Sequence, residues 1–98
     1  MSTQIYSYVL TIDVEDDLEL IHQYGVAQFG MLQADKYYEM FFECFDKIAS
    51  NPFMFPSSVH LNKGYRYCVC GVDTIFYSII SDDLVEIVAI VGRQNFIL

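Results

Sequence analysis

Three cysteines, two histidines and an acidic run are the side chains with the strongest potential for chemistry in this sequence. Cys68 and Cys70 are two residues apart on a predicted strand, so both sulfur atoms share one face, where Cys44 and a histidine could complete a metal site. Structural zinc sites usually combine two closely spaced ligand pairs, and only one pair is present here. We therefore interpret the cysteines as small core residues, and their odd number indicates reduced thiols.

The histidines and the acidic run do not form a catalytic pattern. His22 on the predicted first helix and His60 in a loop could each act as a general base, but isolated histidines are usually structural or solvated. Asp13–Asp17 lacks the glycine-punctuated spacing of a calcium loop, and a solvated helix start is the simpler interpretation, because the helix dipole favours negative charge there. The motifs of phosphate-binding loops, zinc proteases and serine hydrolases are absent. We predict no catalytic residue, no metal site and no cofactor.

Charge and composition restrict the class of partner. Five basic and thirteen acidic residues give a net charge of −8, which is too little positive charge to bind nucleic acid through its phosphates. A protein partner of basic character fits better, because opposite charges steer association. No apolar run reaches the roughly 18 residues of a membrane helix, and the N-terminus lacks the pattern of a signal peptide. We predict one soluble cytoplasmic domain over residues 1–98, with no direct nucleic-acid or membrane binding.

Hydrophobic periodicity predicts elements in the order β-α-α-β-β-β. The first strand covers Ile5–Ile12, and Asp13 is the candidate N-cap of a first helix that ends at Gly30. The second helix covers Leu32–Ala49, and the second strand, after an irregular segment, covers Tyr65–Cys70. The predicted fold class is α+β, with a helical hairpin packed on one face of a small antiparallel sheet.

The last two predicted strands are apolar on both faces. Thr74–Ile80 and Leu84–Val91 flank the polar turn Ser81-Asp82-Asp83, and Glu86 is the only charged residue within the last strand. Strict alternation groups four residues on one face of that strand: Val85, Ile87, Ala89 and Val91. One helical hairpin can cover one face of the sheet, so we expect a partner protein to cover the other face.

Short motifs in colinear order resemble the ParE branch of the ParE/RelE toxin superfamily. These motifs are Gln33-Ala34-Asp35-Lys36-Tyr37-Tyr38-Glu39-Met40, Asn51-Pro52, Gly64-Tyr65-Arg66, Ile75-Phe76-Tyr77, Glu86-Ile87-Val88 and Gly92-Arg93-Gln94. The resemblance covers nearly the whole chain and implies the same helical hairpin on an antiparallel sheet. It also implies the toxin of a type II toxin–antitoxin system, which blocks DNA gyrase by binding and is wrapped by the C-terminal segment of its antitoxin.

The resemblance leads to two sets of predicted binding residues. For the target they are Arg93, Gln94 and Arg66, and the alternative role of Arg93 is a salt bridge at the rim of an interface. For the antitoxin they are aromatic: Tyr37, Tyr38, Phe41, Tyr65, Tyr67 and Phe76. We expect either a homodimer or a hetero-oligomer with the antitoxin, in which the uncovered face of the sheet is buried.

Two features depart from the family pattern. The chain is acidic where relatives are commonly basic, and its last strand holds Ala89 and Val91 where relatives often carry an arginine and a Leu-His pair. RelE relatives cut mRNA with basic and aromatic residues that stabilise a phosphoryl transition state, so these losses argue against cleavage. The alternatives to a gyrase inhibitor are a degenerate, non-toxic antitoxin-binding module and a RelE-like ribosome-dependent mRNA endonuclease.

Overall fold

The computed structural model describes residues 5–58 and 64–92. The elements are β1 (Ser7–Leu10), α1 (Ile12–Phe29), α2 (Met31–Ser50), β2 (Tyr65–Cys70), β3 (Asp73–Ser81) and β4 (Leu84–Gly92). This order confirms the predicted α+β fold class, although β1 is shorter than expected because Ile12 already belongs to α1. Within the described ranges, no helix is both long and apolar enough to span a membrane.

The four strands form one sheet in the order β1-β4-β3-β2. Antiparallel pairing joins β2 to β3 and β3 to β4, whereas β1 runs parallel to β4. The sheet is therefore mixed, and the prediction of an antiparallel sheet is wrong for its first strand. Parallel neighbours need a long connection, and here the helical hairpin and two further strands separate β1 from β4 in the sequence.

Polar and glycine residues set the ends of the helices. The hydroxyl group of Thr11 accepts a hydrogen bond from the backbone N–H of Val14 at 3.2 Å, so Thr11 is the N-cap and the prediction of Asp13 is wrong by two residues. Gly30 ends α1 at a φ of 91°, in the region that favours glycine. Gly25 lies at a close approach of the two helices, since a Cβ there would be 3.2 Å from the Cβ of Ala34.

The core lies between the helical hairpin and one face of the sheet. Its fully buried members include Val14 from α1, Phe41, Phe45 and Ile48 from α2, Ile75 and Tyr77 from β3, and Val85 and Ile87 from β4. The buried phenol of Tyr77 donates a hydrogen bond to the carbonyl oxygen of Pro52 at 2.5 Å. Tyr77 therefore anchors the segment that follows α2 to the middle of the sheet.

A β-bulge changes the orientation of the second half of β4. Phe76 pairs with Ala89 while its neighbour Tyr77 pairs with Ile87, so Val88 is an extra residue in β4. The outward-facing residues beyond the bulge are Ala89 and Val91. Their predicted placement on the same face as Ile87 is wrong, because strict alternation takes no account of an inserted residue.

Candidate functional site

The face of the sheet that points away from the helices, here called the outer face, is apolar. Its apolar members are Val9, Tyr65, Tyr67, Val69, Phe76, Leu84, Ala89 and Val91. Val69 is 65 % exposed and Val9 is 46 % exposed, and the other members are half-buried. Among the described residues of this face, Glu86 is the only charged one, and none of the described elements packs over it. The second apolar face predicted from the strands is therefore present.

Two aromatic rings pack against each other on the outer face, where β2 meets β3. Tyr67 and Phe76 are cross-strand partners, with ring centroids 6.2 Å apart and an interplanar angle of 46°. Tyr65 lies one pair further along the same two strands, opposite Ser78. Tilted aromatic pairs combine a large apolar area with a defined geometry, and aromatic residues dominate the binding energy of many protein interfaces. The structure thus brings together three of the six predicted aromatic residues.

The other three predicted aromatic residues lie on α2, on the opposite side of the sheet. Phe41 is fully buried and packs edge-on against Tyr37, with centroids 5.2 Å apart. Tyr38 is half-buried, and its ring packs edge-on against the ring of His22, with centroids 5.3 Å apart. Phe41 is therefore a core residue in this structure, whereas Tyr37 and Tyr38 retain some accessible surface.

A groove between α1, α2 and the start of β3, here called the hairpin groove, is a second open surface. It has a volume of about 700 Å³, which is in the range of protein ligand sites. Its lining consists of Leu20, Ile21, Tyr24, Gly25, Phe29, Gln33, Ala34, Tyr37, Val72 and Asp73. Four of these apolar side chains are more than half exposed: Leu20, Tyr24, Phe29 and Val72. In the sequence, the only indication of this groove is that Leu20 and Tyr24 are apolar and lie next to the residues of α1 that face the core. Whether they are exposed depends on how the two helices pack.

A hydrogen-bonded pair of polar residues lies in the hairpin groove. The hydroxyl group of Tyr37 donates to Oδ2 of Asp73, and Asp73 is only 5 % exposed. Burial and the hydrogen bond to this carboxylate raise the pKa of Tyr37 above its ordinary value. Nε2 of His22 lies 2.7 Å from Oδ1 of Asp35, and this contact is an ion pair when the imidazole is protonated. No lysine, arginine or histidine among the described residues pairs with Asp73.

The predicted target residues are largely outside the described residues. Arg93 and Gln94 belong to the undescribed residues, as does His60. Arg66 donates a hydrogen bond from Nη1 to the carbonyl oxygen of Phe55 at 2.6 Å, and its guanidinium lies 5.3 Å from the ring centroid of Phe53. Arg66 therefore holds the segment that follows α2 against β2.

The three thiols lie in the core between α2 and β2. The Sγ atoms of Cys44 and Cys70 are 2.6 Å apart, and all three cysteines are buried and free. Burial is the main cause that raises the pKa of Cys68 to about 11. In residues 5–58 and 64–92, no three side chains of the metal-binding types come together as a candidate metal site.

Comparisons with known proteins agree with this geometry. A family model described as "ParE toxin of type II toxin-antitoxin system, parDE" matches residues 8–95. A solved structure described as "Chromosomal ParDE TA system from P. aeruginosa" superposes with a TM-score of 0.78 at 16 % identity, covering 90 % of this chain and 96 % of that chain. That identity supports a shared fold, and a search of curated proteins found no match. Because the family model spans most of the sequence, the chain belongs to the ParE toxin family of type II toxin–antitoxin systems.

Proposed function

We propose that this chain inhibits DNA gyrase by binding to it in the cytoplasm, and that a cognate antitoxin neutralises it by covering the outer face. Family membership supports the role of toxin. The observation that carries the antitoxin proposal is the aromatic pair on the outer face, Tyr67 and Phe76, on a sheet whose other face is already packed. Burial of apolar surface contributes ~2.5 kcal/mol per 100 Å² removed from water, so the exposed apolar side chains of this face favour association with a partner.

The proposed mechanism is binding rather than catalysis. The groups whose pKa is clearly raised include Cys68 and Tyr77, and both are buried in the core, where burial itself is the main cause. Such shifts favour the neutral form and do not prepare a group to exchange protons with a substrate. For the target contact we retain Arg93 and Gln94, which follow the end of β4. Arg66 is the weaker candidate, because its guanidinium already binds the carbonyl oxygen of Phe55.

The direct test is inducible expression with and without the antitoxin, which we expect a small neighbouring gene to encode. We expect growth arrest and loss of supercoiling by purified gyrase, and both should be relieved by the antitoxin. Arg93→Ala should reduce the inhibition of gyrase, whereas Lys36→Ala, on the exposed side of α2, serves as the matched loss of one positive charge. Normal growth together with full supercoiling would remove the proposed activity.

The antitoxin surface is tested on the same purified proteins. The double change Tyr67→Ser and Phe76→Ser should weaken antitoxin binding and, without antitoxin, reduce self-association through the outer face. Leu32→Ser is the control, because Leu32 is 74 % exposed on α2 and lies outside both surfaces. Unchanged antitoxin affinity in the folded double variant would contradict the assignment.

The acidic charge favours one alternative function. A net charge of −8 and the absence of the arginine and Leu-His pair of relatives suit a non-toxic module that retains antitoxin binding. That module would bind the antitoxin tightly without arresting growth. Cleaved transcripts in translating cells would instead indicate a ribosome-dependent endonuclease, whereas growth arrest with intact mRNA would exclude one.

A further inference from the structure

We propose that residues 93–98 of this chain, here called the tail, dock in the hairpin groove, with Arg93 paired to Asp73 and the apolar end of the tail on the walls. The docked tail is an autoinhibitory contact, because an arginine that is paired with Asp73 is not available to a target. The docking itself does not depend on the proposed function, and only its effect on gyrase rests on it.

The last strand ends beside the groove. Gly92, the final residue of β4, is the cross-strand partner of Asp73, which lines the groove. Opposite residues in an antiparallel pair have Cα atoms about 5 Å apart, and consecutive Cα atoms are about 3.8 Å apart. Chain connectivity therefore keeps the Cα atom of Arg93 within about 10 Å of that of Asp73, a separation that the two side chains together can span.

Beyond Gly92 the chain has no strand left to follow. Asp73 is the first residue of β3, so no earlier residue of β3 can pair with the tail. On its other side β4 pairs with β1 only as far as Ile87. A tail that leaves the sheet at this point can turn towards the helices, and the groove between them opens beside Asp73.

The carboxylate of Asp73 lacks a cation. Asp73 is 5 % exposed, and Tyr37 supplies a hydrogen bond to it but no charge. A carboxylate that is nearly removed from water without a cation is in an unfavourable electrostatic environment. Arg93 would supply a charge-assisted hydrogen bond there. The other lysine or arginine outside the described ranges is Lys63, which precedes the end of β2 that is farthest from Asp73.

The walls of the groove match the tail in character and in length. Leu20, Tyr24 and Phe29 line the groove with more than half of each side chain exposed, and residues 96–98 are Phe-Ile-Leu. From Leu20 to Phe29 the helix rises by about 14 Å. Six extended residues span at most about 20 Å, so the tail can reach from Asp73 along these walls.

Docking of the tail is intramolecular, which makes it more favourable than docking of a separate segment. A short connection holds two binding groups at an effective concentration on the order of millimolar. The net charge of −8 also favours a basic side chain in the groove. A contact of modest intrinsic affinity is therefore sufficient to populate the docked form, and the tail is the occupant that the fold itself delivers to the groove.

A single tryptophan in the tail reports the docking in the full chain. The sequence contains no tryptophan, so Phe96→Trp introduces the only indole, and acrylamide quenches its fluorescence less when it is docked. Loss of one charge-assisted hydrogen bond shifts the docking equilibrium by about tenfold. In the Phe96→Trp background, Asp73→Asn and Arg93→Gln should therefore both increase the quenching. Lys36→Gln, the matched loss of an exposed positive charge on α2, should leave it unchanged.

Two further variants identify the surface on which the tail lies. Tyr24→Ser, in the wall of the groove, should increase the quenching, whereas Val69→Ser, similarly exposed on the outer face, should leave it unchanged. The protection should not depend on protein concentration, because the tail and the groove belong to one chain. Arg93→Gln guards against misfolding, since Arg93 lies outside the described residues and its replacement leaves their contacts intact.

Three results would overturn the docking. They are quenching as strong as in the urea-unfolded chain, protection that appears only at high protein concentration, and quenching that neither Asp73→Asn nor Arg93→Gln increases. The second result would place the tail in the groove of another copy.

The effect on gyrase separates this proposal from the previous one. Release of the tail makes Arg93 available, so Asp73→Asn should inhibit supercoiling at a concentration up to about tenfold lower than the wild-type chain does. Equal inhibition by both chains would remove the autoinhibitory effect. A protected indole in a chain that does not inhibit gyrase would sustain the docking and remove the proposed function. A fully quenched indole in a chain that inhibits gyrase would remove the docking alone.

Discussion

Replacement of Tyr77 by phenylalanine tests how the sheet holds the segment that follows α2. Tyr77 is fully buried and its hydroxyl group donates to the carbonyl oxygen of Pro52 at 2.5 Å. The change to phenylalanine removes one oxygen atom and leaves the rest of the ring in place. Pro52 is also buried, so water cannot readily replace the lost donor, and its carbonyl group loses its partner.

The expected cost follows from the loss of this partner. A buried acceptor left without a donor costs about 1–3 kcal/mol. We take about 2 kcal/mol as the loss in the free energy of unfolding for Tyr77→Phe, which in a domain of this size lowers Tm by roughly 8–10 °C. The ring of Phe55 packs edge-on to Tyr77 with centroids 6.5 Å apart, and this contact remains in the variant. The loss therefore reports on the hydrogen bond rather than on ring packing.

Urea denaturation at neutral pH measures the effect, with Tyr67→Phe as the matched control. The hydroxyl group of Tyr67 makes no hydrogen bond within the described residues, so this change should alter the free energy of unfolding by less than about 0.5 kcal/mol. A constant m-value would show that the amount of surface exposed on unfolding is unchanged. Equal effects of the two substitutions would refute the anchoring role of Tyr77.

The same variant should also change how the free energy of unfolding depends on pH in the alkaline range. Burial is the main cause that raises the pKa of Tyr77 from 10.0 to about 12, while the charge of Arg66 acts in the opposite direction. The protonated phenol therefore contributes stability that is fully present below pH 10 and is lost as the pH rises through 12. Tyr77→Phe should show a shallower loss of stability across this range than the wild-type chain. An identical pH dependence in both proteins would mean that Tyr77 does not titrate on unfolding.

Two further predictions concern the thiols and a turn. The native chain should react slowly with Ellman's reagent at pH 8, because Cys44, Cys68 and Cys70 are buried and burial raises the pKa of Cys68 to about 11. In urea all three thiols should react. Rapid reaction of the folded chain would contradict their burial. Gly71→Ala should lower the free energy of unfolding by at least about 1–2 kcal/mol in urea denaturation, because Gly71 has a φ of 63° and the added Cβ would lie 3.0 Å from Cε of Met40. A loss below about 1 kcal/mol would show that the turn accepts a side chain and that Met40 moves aside without cost.

The sequence predicted the helices and strands well, because the residues that form and end each element lie close together in the chain. Tyr65–Cys70 forms a strand with the predicted bounds, and Gly30 ends α1 as expected. The N-cap was misplaced because Thr11 and Asp13 both carry capping side chains, and periodicity alone does not choose between them. The bulge at Val88 depends on the pairing of β4 with β3, which strict alternation does not contain.

The candidate site was predictable only in part, for a related reason. Apolar residues on both faces of a strand indicate a second apolar surface, and the structure places Tyr67 and Phe76 on it. Their role in antitoxin binding stays a prediction. Burial of an α2 residue depends on how the hairpin meets the sheet, which is why Phe41 was grouped with them although it lies in the core. The hairpin groove needs three separate elements, and the environment of Asp73 follows from their assembly.

The parallel pairing of β1 with β4 has a consequence for synthesis. The helical hairpin and the meander of β2, β3 and β4 join neighbours in sequence, and such contacts form early in folding. The first strand has no place in the sheet until Leu84–Gly92, the last strand described, has left the ribosome. The sheet is therefore complete only after β4 has been synthesised, and until then the outer face lacks the edge strand that carries Val9.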